Sequence, residues 1–169
     1  MKIEQDIKLD FSDVLIRPKR STLQSRNNVI LEREFHFPHS TQKITCVPII
    51  ASNMDTVGTV EMYNKLKEFN ILTCFHKFID IDTYPENKTN NYIVSIGIRD
   101  DDFNKLKKLF TKYPNNCNIV CVDIANGYIK NLVDFCVKVR ELIPNVILIA
   151  GNVVSREMVK SMAKNPIIF

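Results

Sequence analysis

Five short apolar runs recur along the chain at near-regular intervals: Val47–Ala51, Ile71–Phe75, Tyr92–Ile96, Ile119–Val122 and Val146–Ala150. Their first residues are separated by 24, 21, 27 and 27 positions. Each run is continuously hydrophobic rather than alternating. That is the pattern of a strand buried on both faces, as in a parallel sheet covered by helices. Parallel neighbours need a long crossover, and right-handed βαβ units in series build either an open doubly wound sheet or a barrel.

The segments between the runs carry a helical period. Thr59 is placed to cap a helix with Met62, Leu66 and Phe69 on one face. The acidic group Asp100–Asp102 suits the N-terminus of a second, with Phe103, Leu106 and Phe110 inward. Tyr128, Leu132, Phe135, Val139 and Leu142 form the longest stripe, which Pro144 stops. Ser155 and Glu157 open a last helix with Met158, Val159 and Met162 inward. Residues 1–45 read as a polar, irregular arm with a basic stretch from Arg17 to Arg26.

With 169 residues the chain is expected to form one domain, residues 1–169, with a core that needs no covalent staples. Its apolar runs are far shorter than the roughly 20 residues of a membrane helix. The opening MKIEQDIKLD has no apolar signal core, and five cysteines is an odd number, so a reduced, cytoplasmic setting is expected. The net charge of +4 is compatible with an anionic small ligand and too small to indicate nucleic acid. The four glycines form neither a GxGxxG nor a Walker loop, and no metal-ligand spacing is present.

Every apolar run ends in a polar or glycine-bearing turn. Ser52-Asn53-Met54-Asp55 follows the first, His76-Lys77 the second, Gly97 the third, Asp123 with Asn126-Gly127 the fourth, and Gly151-Asn152 the fifth. In a parallel βα fold these turns share one rim, where ligands bind. Lys77 at a strand end is read in two ways, as a side chain reaching to the rim or as a desolvated lysine able to move a proton near neutral pH. Asp123 is placed either to cap the following helix or to hold a ligand hydroxyl or amide. The cysteines lie in strands, a helix or ordinary loops, away from the glycine-rich turns or helix starts that stabilise a thiolate.

Several strings go beyond pattern. DFSDVLIRPKRSTLQSR (residues 10–26), VPIIASNMDTVGT (47–59), ILTCFHK (71–77), VDIANGY (122–128) and IAGNVV (149–154) resemble GMP reductases, and less closely the sister IMP dehydrogenases. RPKRS is the reductase form. The 16 residues between Phe75 and Tyr92 leave no room for the regulatory modules that most dehydrogenases insert there.

The resemblance implies an α/β fold, a partial (β/α)8 TIM barrel with about five of its eight βα units. It implies an enzyme that uses NADPH to convert GMP to IMP and ammonia. By position, Lys77 would transfer a proton at the departing ammonia and contact the cofactor, and Asp13 would support catalysis. Asp123, Ile124 and Ala125 would line the nicotinamide site, Asn152 would border the rim as a cofactor-binding residue, and Ser25 and Arg26 would meet the cofactor of a neighbouring subunit. Ser52, Asn53 and Met54 would border the purine. A homotetramer is implied, with neither nucleic acid nor membrane as partner. The family's nucleophilic cysteine and its K+ site belong to a loop after the sixth strand. This leads to the expectation of a truncated chain that is inactive alone, with a non-catalytic assembly module or an IMP dehydrogenase remnant as the alternatives. No other metal is implied. Ile98 stands where the family tends to keep a small hydroxyl residue, the segment from Asp80 to Asn91 is short, and the resemblance fades after Ala163.

Overall fold

The computed structural model describes residue 5, residues 7–85 and residues 92–164. Contacts divide the chain into two compact units, residues 1–30 and residues 31–169. In the first, two single 3-10 turns, Phe11–Asp13 and Arg26–Asn28, stand out from extended chain. Asp13 Oδ2 accepts the Asp10 N–H at 2.8 Å, and Ser25 Oγ accepts the Asn27 N–H at 3.2 Å, so both side chains cap their own turns.

The second unit is a sheet with helices. Its strands are β1 (Arg33–His36), β2 (Lys43–Ala51), β3 (Ile71–Phe75), β4 (Tyr92–Ile96), β5 (Ile119–Asp123) and β6 (Ile147–Gly151). They lie in sequence order in one sheet; β1 is antiparallel to β2, and every later pair is parallel. The helices are α1 (Val60–Leu66), α2 (Asp100–Lys112), α3 (Lys130–Leu142) and α4 (Arg156–Ala163). Between β3 and β4 the described residues hold only a 3-10 turn, Ile81–Thr83. Residues 86–91 of the short connection, and the tail after Lys164, lie outside the described residues.

Two apolar clusters flank the sheet, because successive side chains of a strand point to opposite faces. Toward the helices lie Phe75, Val94, Val120, Val122 and Leu148 with Leu106, Leu109, Leu132, Phe135 and Met162. On the other face Leu72, Cys74, Ile93, Ile119 and Ile147 pack with Ile44 and Cys46 of β2 and with Phe35 and Phe37. This two-sided burial is what the continuous hydrophobic runs require.

Four readings of the sequence need correction. The arm is not irregular throughout: Arg33–His36 forms a hairpin with β2, whose first half starts at Lys43 and so contains Cys46. The turn of this hairpin is clasped to the β5 and β6 ends, where the Thr41 N–H donates to Asn145 Oδ1 at 3.0 Å and Ser40 Oγ donates to the Asn145 carbonyl at 2.6 Å. In α1 the buried residue is Tyr63, and Phe69 is exposed. The helix ends at Leu66 and tightens into the turn Lys67–Phe69, closed by a left-handed Asn70 (φ 54°), which rotates Phe69 off the inward stripe. Tyr128 precedes α3 and stands about half exposed, and Val159 on α4 is exposed, leaving Met162 as that helix's buried anchor.

Candidate functional site

Asp123 is the last residue of β5 and projects two positions beyond Cys121, on the face away from the helices. Ser95 stands likewise two beyond Ile93 on β4 and is 2% exposed. From the loop after β2, Asn53 reaches across both strand ends. Its Nδ2 donates to Asp123 Oδ2 at 2.8 Å and to Ser95 Oγ at 3.0 Å. One amide therefore ties the ends of β2, β4 and β5 and fixes one oxygen of the carboxylate.

The chain leaves β3 through a turn, His76–Ile79, closed by the Ile79 N–H donating to the His76 carbonyl at 3.2 Å. Ile79 is buried in the core, so Lys77 and Phe78 occupy the two outer corners and both are exposed. The exposed Lys77 side chain stands at the rim. Its Nζ lies 5.3 Å from the Phe78 ring centroid, within cation–π range. Lys105 of α2 reaches the same turn from below, its Nζ donating to the carbonyls of Lys77 at 2.5 Å and Ile79 at 2.6 Å. Partial burial lowers the pKa of Lys105, against the opposing charges of Asp102 and Asp80.

The loops after β5 and β6 are laced together. The Ile124 N–H donates to the Gly151 carbonyl at 2.9 Å, Asn152 N–H to the Ile124 carbonyl at 2.7 Å, and Gly127 N–H to the Asn152 carbonyl at 2.8 Å. A Cβ at Gly127 would stand 2.5 Å from that same carbonyl oxygen, so a side chain there would push the loops apart. Tyr128 Oη accepts the N–H groups of Val154 and Ser155 at 3.0 and 2.8 Å. The Ser155 side chain first, and then these backbone donors, favour the phenolate and lower the pKa of Tyr128. At Gly97 a Cβ would meet Asp102 Oδ2 at 2.6 Å, and that carboxylate accepts the Arg99 N–H at 3.0 Å.

Between these turns lies a cleft of about 430 Å³. Lys77, Arg99, Asp102 and Asp123 supply its charges, and Gly97, Ile98, Ile124, Ala125 and Asn152 the rest of its wall. A cleft with two cationic and two carboxylate side chains and Asn152 is suited to a polar ligand with both donors and acceptors.

A family model described as the IMP dehydrogenase / GMP reductase domain matches residues 8–167. The chain belongs to this family. The match runs past Ala163, where the resemblance was expected to fade. GMP reductases from Citrobacter koseri and Buchnera aphidicola are 48% and 47% identical to it over 96% of its length. The chain spans about half the length of the curated relatives it matches, 48% in both cases. Among solved structures, inosine 5′-monophosphate dehydrogenase from Legionella pneumophila superposes with a TM-score of 0.71 at 23% identity, covering 91% of this chain and 47% of that one. The shared fold is the TIM barrel, of which β2–β6 form five consecutive parallel strands.

Within this family fold, the structure gathers Lys77, Asp123, Ile124, Ala125 and Asn152 around one cleft, with Asn53 bonded to its carboxylate. Ser52 and Met54 lie in the exposed loop after β2 and do not line the cleft. Asp13, Ser25 and Arg26 belong to the first unit. Sequence reasoning missed three participants. Ser95 is a hydroxyl inside an otherwise apolar strand, which is itself a signal. Arg99 borders the cleft from the N-cap of α2, and Lys105 carries no local mark because its partners lie 26 and 28 positions away.

The thiols stand apart from this chemistry. Cys46, Cys74, Cys117 and Cys136 are buried, and Cys121 is half buried. Burial pushes the Cys117 and Cys136 thiols up to about 12. The neighbouring Cys121 thiol together with burial raises the pKa of Cys74 and holds it protonated, while Cys74 lowers that of Cys121. Among the described residues no three His, Cys, Asp or Glu side chains converge as a metal site.

Proposed function

We propose that this chain supplies the cofactor-facing rim of a GMP reductase, an oxidoreductase converting GMP to IMP and ammonia at the expense of NADPH. The observation that carries the reading is that Lys77 and Asp123, from the ends of β3 and β5, open onto one cleft in a chain of this family. The donor set suits a nicotinamide nucleotide. Asp123, held by Asn53 through Oδ2, accepts from a carboxamide or a ribose hydroxyl, and Asn152 both donates and accepts. Lys77 and Arg99 attract the phosphates.

NADPH when bound supplies the hydride. Lys77 delivers a proton from Nζ to the departing ammonia, from a position set by the staked turn. Ile124 and Ala125 exclude water from one side of the nicotinamide site. Ser52, Asn53 and Met54 border the purine, and Asp13 supports the catalytic groups. Ser25 and Arg26 meet the cofactor of a neighbouring subunit in a cytoplasmic homotetramer. K+ and the nucleophilic cysteine belong to the family's loop after the barrel's sixth parallel strand, β6 here being the fifth. None of the five thiols of this chain lines the cleft, so none serves as the nucleophile there.

The test is a titration of the chain with NADPH, followed by the enhancement of its fluorescence. Saturable binding is expected, tighter than for NADH, and Lys77→Ala and Asp123→Ala each weaken it about tenfold, or about 1.4 kcal/mol. Absence of saturable binding, or equal affinity for NADH, overturns the reading. The chain alone is expected not to consume NADPH in the presence of GMP, and turnover by it would overturn the assignment of the nucleophile elsewhere.

A further inference from the structure

Tyr128 has no part in the reading above, yet its hydroxyl stands where two loops meet. It precedes α3, half exposed, and reaches to the chain that leaves β6. Gly151, Asn152, Val154 and Ser155 are all bonded to the loop after β5. The Gly151 carbonyl accepts from Ile124, and Asn152 bonds to Ile124 through its N–H and to Gly127 through its carbonyl. Val154 and Ser155 both donate to Tyr128 Oη, at 3.0 and 2.8 Å. Gly127 admits the close approach, since a Cβ there would meet the Asn152 carbonyl oxygen at 2.5 Å. The tyrosine beside it closes the far end.

Both backbone polar groups of Asn152 are thus spent on the neighbouring loop. What this exposed residue offers a ligand in the cleft is its side-chain amide, with two donors and an acceptor. The backbone on either side of Asn152 sets where that amide points. On the near side the sheet fixes it, because Gly151 is the last residue of β6 and pairs with Asp123 of β5. On the far side residues 153–155 belong to neither strand nor helix. There Val153 packs against the core, and the phenol oxygen ties the next two amides. The Ser155 side chain adds to those donors and favours the phenolate, an oxygen that accepts more strongly than a neutral hydroxyl.

Tyr128 does not itself line the cleft, so it acts through the residue that does. We infer that Tyr128 is a positioning residue of the cleft: its hydroxyl, by gathering the amides of Val154 and Ser155, aims the Asn152 side chain at the bound nucleotide. This inference rests on the nucleotide reading of the cleft.

Tyr128→Phe removes one oxygen and keeps the ring. Val154 is 94% exposed, so water replaces the lost acceptor, and the variant is expected to fold with a urea midpoint close to that of the unaltered chain. Its affinity for NADPH, followed by cofactor fluorescence, is expected to fall about three- to tenfold, the ordinary worth of one hydrogen bond. In an Asn152→Ala background the same change is expected to have no effect, because the group it aims is gone. In the isotope-labelled chain, NADPH is expected to shift the nuclear magnetic resonance signals of the Asn152 side-chain NH2, and in Tyr128→Phe to leave them in place. A tyrosine that merely held the fold together would lower the denaturation midpoint and leave those signals responsive.

Amide exchange in the unaltered chain needs no variant. NADPH is expected to slow exchange at Val154 and Ser155, since a ligand that holds Asn152 also closes the bonds beyond it. Unchanged exchange there, unchanged NADPH affinity in Tyr128→Phe, or an equal loss with and without Asn152 overturns this inference, while NADPH binding that depends on Lys77 and Asp123 leaves the reading of the cleft standing. Failure of the unaltered chain to bind NADPH overturns both.

Discussion

Asn53 and Asp123 sit 70 positions apart in the sequence, and the Nδ2 of one donates to the Oδ2 of the other at 2.8 Å across two strand ends. The same nitrogen satisfies the buried Ser95 hydroxyl at 3.0 Å. Removing the amide strands a buried oxygen and releases a carboxylate. Asn53→Ala is therefore expected to lower unfolding stability by about 1–3 kcal/mol, read as a shift of the urea midpoint at unchanged slope. Asn53→Asp sets two carboxylates side by side and raises their folded-state pKa values. A raised carboxylate favours folding below its unfolded pKa and loses that contribution as pH rises through the folded value. The Asn53→Asp variant is thus expected to regain stability on acidification through the carboxylate range, and an unchanged pH profile would show that the two groups do not meet.

Gly58 tests whether the loop after β2 must lie against the end of β3. A Cβ there would fall 2.1 Å from the Cys74 carbonyl oxygen, 2.9 Å from that of Ser52 and 3.0 Å from the His76 nitrogen. All three are backbone atoms that cannot swing aside. Gly58→Ala is expected to cost about 1–3 kcal/mol or more, whereas Gly151→Ala, whose nearest such neighbour is Val153 N at 3.8 Å, is expected to be close to neutral. Equal denaturation midpoints for the two variants would contradict this packing.

Buried thiols contribute to the alkaline limit of the fold, alongside the buried Tyr84 and Tyr92 phenols, whose pKa values burial also raises. Cys117 and Cys136 have pKa values near 9 when solvated and about 12 when buried here. A pKa raised by folding contributes stability that is whole below the unfolded value and is lost as pH rises toward the folded one. Stability is expected to fall between pH 9 and 12, with each thiol contributing up to about 1.4 kcal/mol per pH unit, and Cys136→Ala should flatten that slope. A fall of the same steepness in this variant would assign the alkaline loss to other groups.

Cys121 differs from the rest. It is the least buried of the five, and the neighbouring Cys74 thiol lowers its pKa. Alkylation of the folded chain with iodoacetamide, followed by peptide mass spectrometry, should modify Cys121 first. Cys74→Ala should slow that modification, because it removes the group that stabilises the thiolate. Faster labelling at Cys117 or Cys136 would count against the arrangement.

Asn145 holds the turn of the hairpin to the lower end of the sheet, accepting the Thr41 N–H and donating to Thr41 Oγ1 at 2.6 Å. Asn145→Ala should speed amide exchange in residues 37–44 while leaving α3 protected, since these bonds lie at the edge of the fold and outside its core. Exchange that rises across the whole chain instead would mean that the clasp is part of the global unfolding unit.

The sequence by itself determined the five parallel strands and the emergence of Lys77 and Asp123 on one rim. A strand covered on both faces must be continuously apolar, and βα repeats bring all strand ends of one polarity to the same side. The tertiary structure alone decided what periodicity does not encode. Arg33–His36 pairs as a strand because the neighbouring edge of β2 accepts it, not because its own residues favour one. Phe69 leaves the core and Tyr63 enters it because α1 stops at Leu66 and tightens. Asn53, Ser95 and Asp123 meet, and Lys105 reaches the Lys77 turn, because side-chain hydrogen bonds between residues far apart in the chain depend on strand register and helix placement, quantities fixed only once the whole sheet has packed.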